Sequence, residues 1–230
     1  MKKIIILWAS VRPAMVYSTW QDWLFKCDNK ERIDIKIAVA TDEQKQKIES
    51  YNFNNCEVSI VIEKSGYPYA ITKLTQELET DDDNILLLLS DDFFAPNHWD
   101  TYLYSQFDNY DGAVFLNDGY QSTAKIGTFC ITLACLTFRC LKKLNKIVFH
   151  PAYNHFFCDT EAWQNFKALG ILKDNRDIDN TVFEHRHYVR GGRLHDEHDA
   201  KNMNNWDIDH ATYQNRMKLT VNERLGIKNE

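Results

Sequence analysis

The sequence predicts an α/β fold: a doubly wound, mostly parallel sheet flanked by helices, followed by a looser C-terminal region. Three observations carry this. Short apolar runs alternate with helical patterns over residues 1–118. Two of these runs, Lys3–Ala9 and Asn84–Leu89, are apolar almost throughout, as strands covered on both faces must be. Polar residues gather where the strands end, at Ser10–Pro13, Asp42, Lys64–Gly66 and Ser90–Asp92. That edge is where such sheets bind ligands.

Lys3–Ala9 is read as the first buried strand. Ser18–Lys26 reads as a helix with Ser18 as its cap and Trp20, Trp23 and Leu24 on one face. Ile33–Ala40 alternates at strand period. Gln44–Tyr51 is a short polar helix and Val58–Ile62 a third strand. Glu63–Pro68 marks a loop. Tyr69–Glu79 is helical, since Ile71, Leu74 and Leu78 recur three and four apart. Asn84–Leu89 is a buried strand, His98–Phe107 a helix and Gly112–Leu116 a strand. Beyond 119, Thr128–Leu136 is strand-like, Arg139–Leu144 is helical, and Thr160–Leu169 is a helix stopped by Gly170. Residues 1–118 and 119–230 form two halves of one continuous domain.

At 230 residues, 44% hydrophobic and 26% charged, the chain has a globular composition, which excludes a disordered chain, a collagen and a simple coiled coil. No apolar run approaches the ~20 residues that cross a bilayer. The apolar stretch Ile4–Ala9 is too short for a signal peptide and no cleavage pattern follows it. A net charge of −6 argues against bulk attraction to nucleic acid. The six cysteines include no C-x-x-C pair, which excludes a zinc ribbon; they are read as reduced thiols of a cytoplasmic chain, with Cys130, Cys135 and Cys140 in the core. No glycine precedes Gly66. A dinucleotide or P-loop phosphate site after the first strand needs glycine there, so both are excluded.

Three motifs carry chemistry. In Ser90-Asp91-Asp92, adjacent carboxylates follow a buried strand, and a divalent cation on a diphosphate is the usual way to relieve their repulsion. Asp159 stands before a helix that carries Glu161; it is either a helix cap or a base. In Phe183–His198, His185 and His187 share a face if the segment is extended. Either could complete a metal site with a distant carboxylate. Arg190-Gly-Gly-Arg193 suits a diphosphate. His195, His198 and His210 are expected at the surface.

The order of these pieces resembles GT-A glycosyltransferases, in particular small family-2-like enzymes of bacteriophages and bacteria. Ser10–Pro13 resembles the turn after the first strand, Asp42 the acidic residue ending the second, and Ser90-Asp91-Asp92 the D-x-D metal motif. Asn117-Asp118-Gly119, His150-Pro151, His155 with Asp159 and Glu161, and Glu184–His187 follow in the same order. The chain departs from the pattern where Ser90 replaces the first aspartate, where Cys158 precedes Asp159, and at Arg190-Gly-Gly.

The resemblance implies a donor half that binds a nucleoside diphosphate sugar, with UDP as the default nucleotide. Ser10, Arg12, Pro13, Asp42, Lys73, Asp91, Arg190 and Arg193 would contact the donor. Asp92 with His187 or His185 would hold Mn²⁺ or Mg²⁺. Asp159 would be the base of an inverting transfer, with His155 and Glu161 toward the acceptor. The acceptor is open: a modified DNA base, a glycan or a protein. Three competing readings are weighed. A sugar nucleotidyltransferase would need the missing glycine-rich loop. A zinc hydrolase or nuclease would be built on the C-terminal His/Asp cluster. A catalytically inactive nucleotide-sugar binder would retain only the fold.

Overall fold

A computed structural model describes residues 2–60, 66–121, 130–176 and 181–228. Seven strands form the main sheet: β1 (Ile4–Ala9), β2 (Ile33–Val39), β3 (Cys56–Ile60), β4 (Ile85–Leu89), β6 (Ala113–Phe115), β7 (Ala134–Thr137) and β8 (Leu172–Asp174). Their order is β3-β2-β1-β4-β7-β6-β8. β1 runs parallel to β2 and β4, and β2 to β3. β7 is antiparallel to both β4 and β6, while β6 and β8 are parallel. The sheet is thus mostly parallel, and strands from both halves of the chain share it. A separate two-stranded ribbon pairs β5 (Phe93–Phe94) with β9 (Glu184–His185).

The uninterrupted apolar strands follow from burial on both faces. Ile4, Ile6 and Trp8 of β1, with Ile85, Leu87 and Leu89 of β4, enter one core with Trp20, Trp23 and Trp99. Ile5, Leu7, Leu86 and Leu88 enter the opposite core with Phe138, Phe149, Tyr153 and Phe166. Cys130, Cys135 and Cys140 are buried free thiols, as expected.

Helices α1 (Pro13–Phe25), α2 (Asp42–Glu49), α3 (Tyr67–Glu77), α4 (Trp99–Gln106), α5 (Phe138–Lys143) and α6 (Cys158–Ala168) connect the strands. The C-terminal segment adds α7 (Glu197–Met203), α8 (Trp206–Arg216) and α9 (Val221–Leu225). Among the described residues no helix is long and apolar enough to cross a membrane.

Four expectations are corrected. α1 starts at Pro13 rather than Ser18, because Pro13 is preset for the first helical position; the Ser18 hydroxyl donates to the Met15 carbonyl inside the helix. α6 starts at Cys158 and its N-cap is Phe157, in the left-handed region at φ 64°, so neither Asp159 nor Thr160 caps it. The Thr128–Leu136 strand narrows to Ala134–Thr137; its start at 128–129 lies outside the described residues. The polar tail after Glu184 is largely helical. Capping boxes at Asp196/Asp199 and Thr220/Glu223 start two of its helices.

Candidate active site

The carboxyl ends of β1 and β4 lie side by side, which brings the Ser10–Arg12 turn against Asp91 and Asp92. Helix α1 fixes this edge from below. The Thr19 hydroxyl donates to the Asp91 carbonyl at 2.7 Å and the Trp23 indole N–H to the Phe93 carbonyl at 2.8 Å.

Asp91 is almost fully buried and its carboxylate is fully occupied. Arg12 donates to both oxygens, at 3.1 and 2.7 Å, and the Ser10 hydroxyl donates at 2.5 Å. The remaining Arg12 nitrogen reaches Asp196, the cap of α7, at 2.9 Å. Asp91 is therefore placed to hold Arg12 and the turn, and not to touch a donor itself.

Asp92 faces a different set. The Ser90 hydroxyl donates to it at 2.7 Å. His185 Nε2 lies 3.4 Å from its other oxygen and Arg193 Nε 3.6 Å away. Burial alone would raise the Asp92 carboxyl, but His185, Ser90 and Arg193 outweigh it and hold it well below the usual range. His185 is stacked on Phe93 at 4.3 Å between ring centroids and stands between two carboxylates, with Nδ1 3.6 Å from Asp118. Burial opposes its charge, yet Asp118 and Asp92 push it up to about 9. His187 comes within 5.2 Å of His185, ring to ring, but across a turn in which the His187 amide donates to the His185 carbonyl at 2.9 Å, not along the extended segment the sequence suggested. Burial, with charged His185 beside it, pushes His187 down to about 4. Arg193 donates to both oxygens of Asp199 at 2.6 Å, which ties α7 over the site.

Asp159 sits in the first turn of α6 and accepts the Thr160 amide at 2.8 Å. The Cys130 thiol also hydrogen-bonds to it. Burial raises the Asp159 carboxyl, a shift in the direction that suits a base near neutral pH. Burial suppresses the charge of the His155 ring, which lies within electrostatic reach of Asp209, Asp92 and Asp199.

The other expected residues are distributed unevenly. Asp42 is exposed as the first residue of α2, beside the end of β2, and Thr41 is that helix's cap. Pro13 opens α1. Lys73 Nζ stands 5.6 Å over the Tyr69 ring on α3. The Arg190 side chain and the loop 61–65 lie outside the described residues. Glu161, expected toward the acceptor, points into the core instead. Arg216 donates to both its oxygens at 2.8 and 2.7 Å, and the Tyr153 hydroxyl donates at 2.7 Å.

Five residues had no role assigned from the sequence: Tyr67, partly buried within electrostatic reach of Cys158, Asp92 and Asp91, together with Asp118, Asp196, Asp199 and Asp209. Asp118 carried a signal in the Asn117-Asp118-Gly119 piece of the resemblance, and Asp196 as the cap of an Asp-x-x-Asp box.

Among the described residues no three His, Cys, Asp or Glu side chains already converge as a metal cage. A Mg²⁺ or Mn²⁺ ion that arrives with a diphosphate needs less, because phosphates and waters fill most of its positions. Asp92 fits that lesser requirement, and the facing Nε2 of His185 would join it only on giving up its proton to the incoming ion.

No family model matches the sequence, and no curated protein matches it. Solved structures do. A mannosyltransferase from Pyrobaculum calidifontis in complex with GDP-Man and Mn²⁺ aligns with a TM-score of 0.56 at 14% identity, over 77% of this chain and 55% of that one. S. aureus TarS in complex with UDP-GlcNAc aligns with a TM-score of 0.60 at 14% identity, over 77% and 56%. This chain thus spans little more than half the length of either. A glucose-1-phosphate thymidylyltransferase from Bacillus anthracis, itself described as putative, aligns with a TM-score of 0.51 at 12% identity, over 76% and 86%. At these identities the likeness is one of fold. The chain has the mixed α/β, GT-A-like fold shared by these nucleotide-sugar-bound glycosyltransferase structures.

Proposed function

We propose that this protein is a metal-dependent glycosyltransferase that moves a sugar, hexose or pentose, from a nucleoside diphosphate, UDP by preference, to an acceptor hydroxyl with inversion. The observation that carries the reading is a pair of unlike carboxylates linked through His155, which lies within electrostatic reach of Asp92 and stands four residues before Asp159. Asp92 is held ionised among cationic groups at the end of β4, and Asp159 is raised by burial at the start of α6. Pairs whose environments push them apart in this way divide the labour of acid–base chemistry.

In this reading residues 1–118 bind the donor and 119–230 supply the acceptor side. Asp42 accepts the N3–H of uracil, and Ser10, Arg12 and Pro13 shape the turn beside it. Lys73 lies along the donor groove. Asp92, with His185 or His187, would hold Mn²⁺ or Mg²⁺ on the diphosphate, where the ion neutralises charge on the departing group. Arg193, with Arg190 on the same loop, turns toward the diphosphate. Asp159 takes the proton from the acceptor hydroxyl as the glycosidic bond breaks, and His155 orients that hydroxyl. A base on the acceptor side is what direct displacement, and hence inversion, requires. The family-2-like phage or bacterial type and a cytoplasmic location belong to the same reading. The acceptor is a modified DNA base, a glycan or a protein.

One observation favours a second reading. The thymidylyltransferase is covered over 86% of its length, more than either glycosyltransferase. Against it stands the first turn, Ser10–Pro13, which lacks the glycines that bring backbone amides onto a triphosphate. The deciding experiment is a panel of nucleotide sugars with Mn²⁺, read by mass spectrometry for release of nucleoside diphosphate. Diphosphate release that stops in excess EDTA is expected. Turnover of a nucleoside triphosphate with a sugar 1-phosphate would overturn the reading, and UDP binding without any turnover would leave a non-catalytic binder.

A further inference from the structure

We infer that Asp209, on α8 of the C-terminal segment, is the positioning residue of the acceptor side: it sets where Asp159 and His155 stand. The inference rests on the proposed base role of Asp159.

Asp209 has no exposed surface, and among the described residues no arginine or lysine pairs with its carboxylate. Its charge is met by four N–H donors from one short loop. Asn154 donates to one oxygen through its backbone amide and its side chain, at 2.9 and 3.0 Å. The amides of His155 and Phe156 donate to the other oxygen, both at 2.8 Å. Three consecutive amides wrapped on one anion leave the loop a single conformation, since turning any of them away strands a buried charge.

What the loop carries gives the contact its consequence. His155 lies on it, its ring within electrostatic reach of Asp209 and Asp92. One residue past the last bonded amide, Phe157 takes the left-handed conformation that starts α6, and Asp159 follows two residues later. The Phe157 ring is gripped by the same helix, at 4.8 Å from Trp206, 5.2 Å from His210 and 5.5 Å from Tyr213. From below, the Asn154 carbonyl presses on Gly66, where a Cβ would approach it to 2.4 Å. The loop is thus clamped between α8 and the start of α3, with Asp209 as its only carboxylate anchor among the described residues. The proposed base and the His155 ring are set by a side chain 50 residues beyond Asp159 along the chain.

The test uses slow hydrolysis of the best UDP-sugar of the panel, with water as acceptor, beside calorimetric binding of UDP with Mn²⁺. Asp209→Asn keeps the size and turns an N–H₂ toward amides that need an acceptor. Hydrolysis kcat should fall roughly 10- to 100-fold, the range a displacement of about 1 Å produces, while UDP affinity stays within about twofold. In the Asp159→Asn background the same change should cost nothing further, since the two act as one unit. If Asp209→Asn does not fold, Asn154→Ala, which removes one of the four donors, should lower kcat several-fold at unchanged UDP affinity. Equal losses in UDP affinity and kcat, multiplicative losses in the double variant, or an unchanged kcat in Asn154→Ala would each overturn the inference. Full activity of Asp159→Asn on its own would instead remove the base reading, which separates the two failures.

Discussion

Glu161 offers the sharpest separation between a site residue and a structural one. Its carboxylate is buried in α6 and receives both nitrogens of Arg216 and the Tyr153 hydroxyl. Breaking a buried ion pair by removing one partner costs about 3–5 kcal/mol, because the other charge stays behind. Glu161→Gln retains one acceptor oxygen, so the lower end, about 3 kcal/mol, is expected. For a chain of this length each kcal/mol moves Tm by about 2–4 °C, which gives a fall of roughly 6–12 °C by calorimetry or circular dichroism. UDP affinity and hydrolysis rate below the transition should match wild type. The pH dependence follows from the same contacts. Burial works to raise the Glu161 carboxyl, but Arg216 and Tyr153 outweigh it and lower it from 4.5. A lowered carboxylate stabilises above its unfolded pKa, and that contribution is lost as pH falls through the folded value. The gap in Tm between wild type and variant should therefore be full at pH 7 and shrink below pH 4.5. A Tm within 2 °C of wild type with sharply reduced turnover would refute this and return Glu161 to the acceptor site.

Asp92→Asn should weaken Mn²⁺-dependent UDP binding and nearly abolish donor hydrolysis; full wild-type activity in excess EDTA would sink the metal reading. Asp159→Asn should keep UDP affinity and Tm but lose ~10²–10⁴ in turnover, as general-base removal does, and near-wild-type rates would leave Asp159 without a catalytic part. Asp42→Ala should weaken uridine and UDP by similar factors in calorimetry, whereas a loss confined to UDP would assign it to the phosphates.

How much of this was legible depended on whether the signal was local. The central strands were readable because burial on both faces forces Ile4–Ala9 and Ile85–Leu89 to be apolar throughout. The ends of those strands exposed Ser10, Arg12, Asp91 and Asp92 to inspection at once. What the sequence did not reveal was pairing at a distance. Nothing local in Asp91 says that Arg12, 79 residues earlier, occupies both its oxygens. Nothing local in Glu161 distinguishes an acceptor contact from a partner for Arg216, 55 residues on. The C-terminal helices were obscured for a different reason. Helix α8 presents Trp206 and Ile208 as exposed residues and buries the charged Asp209, which reverses the pattern by which amphipathic helices are recognised.

The charges of the centre bear on why a divalent cation would be needed. Asp91, Asp92, Asp118, Asp196 and Asp199 face Arg12, Arg193 and His185, the last held protonated to about pH 9. Among these described residues, five carboxylates against three cations leave an excess of two negative charges at neutral pH. A diphosphate brought into that field would be repelled by the groups meant to receive it. Arg193 could turn from Asp92 toward the phosphates, but this would leave Asp92 less compensated by an equal amount. Internal rearrangement redistributes the excess without removing it. In the proposed reading an added divalent cation would remove it, and of the two adjacent aspartates Asp92 is the one whose cationic partners stand off, at 3.4 and 3.6 Å. Asp91, closed by contacts of 2.5 to 3.1 Å, has no such latitude. In the proposed reading the two adjacent aspartates divide the work: Asp91 holds the turn, and Asp92 would exchange its protein partners for an ion that comes with the donor.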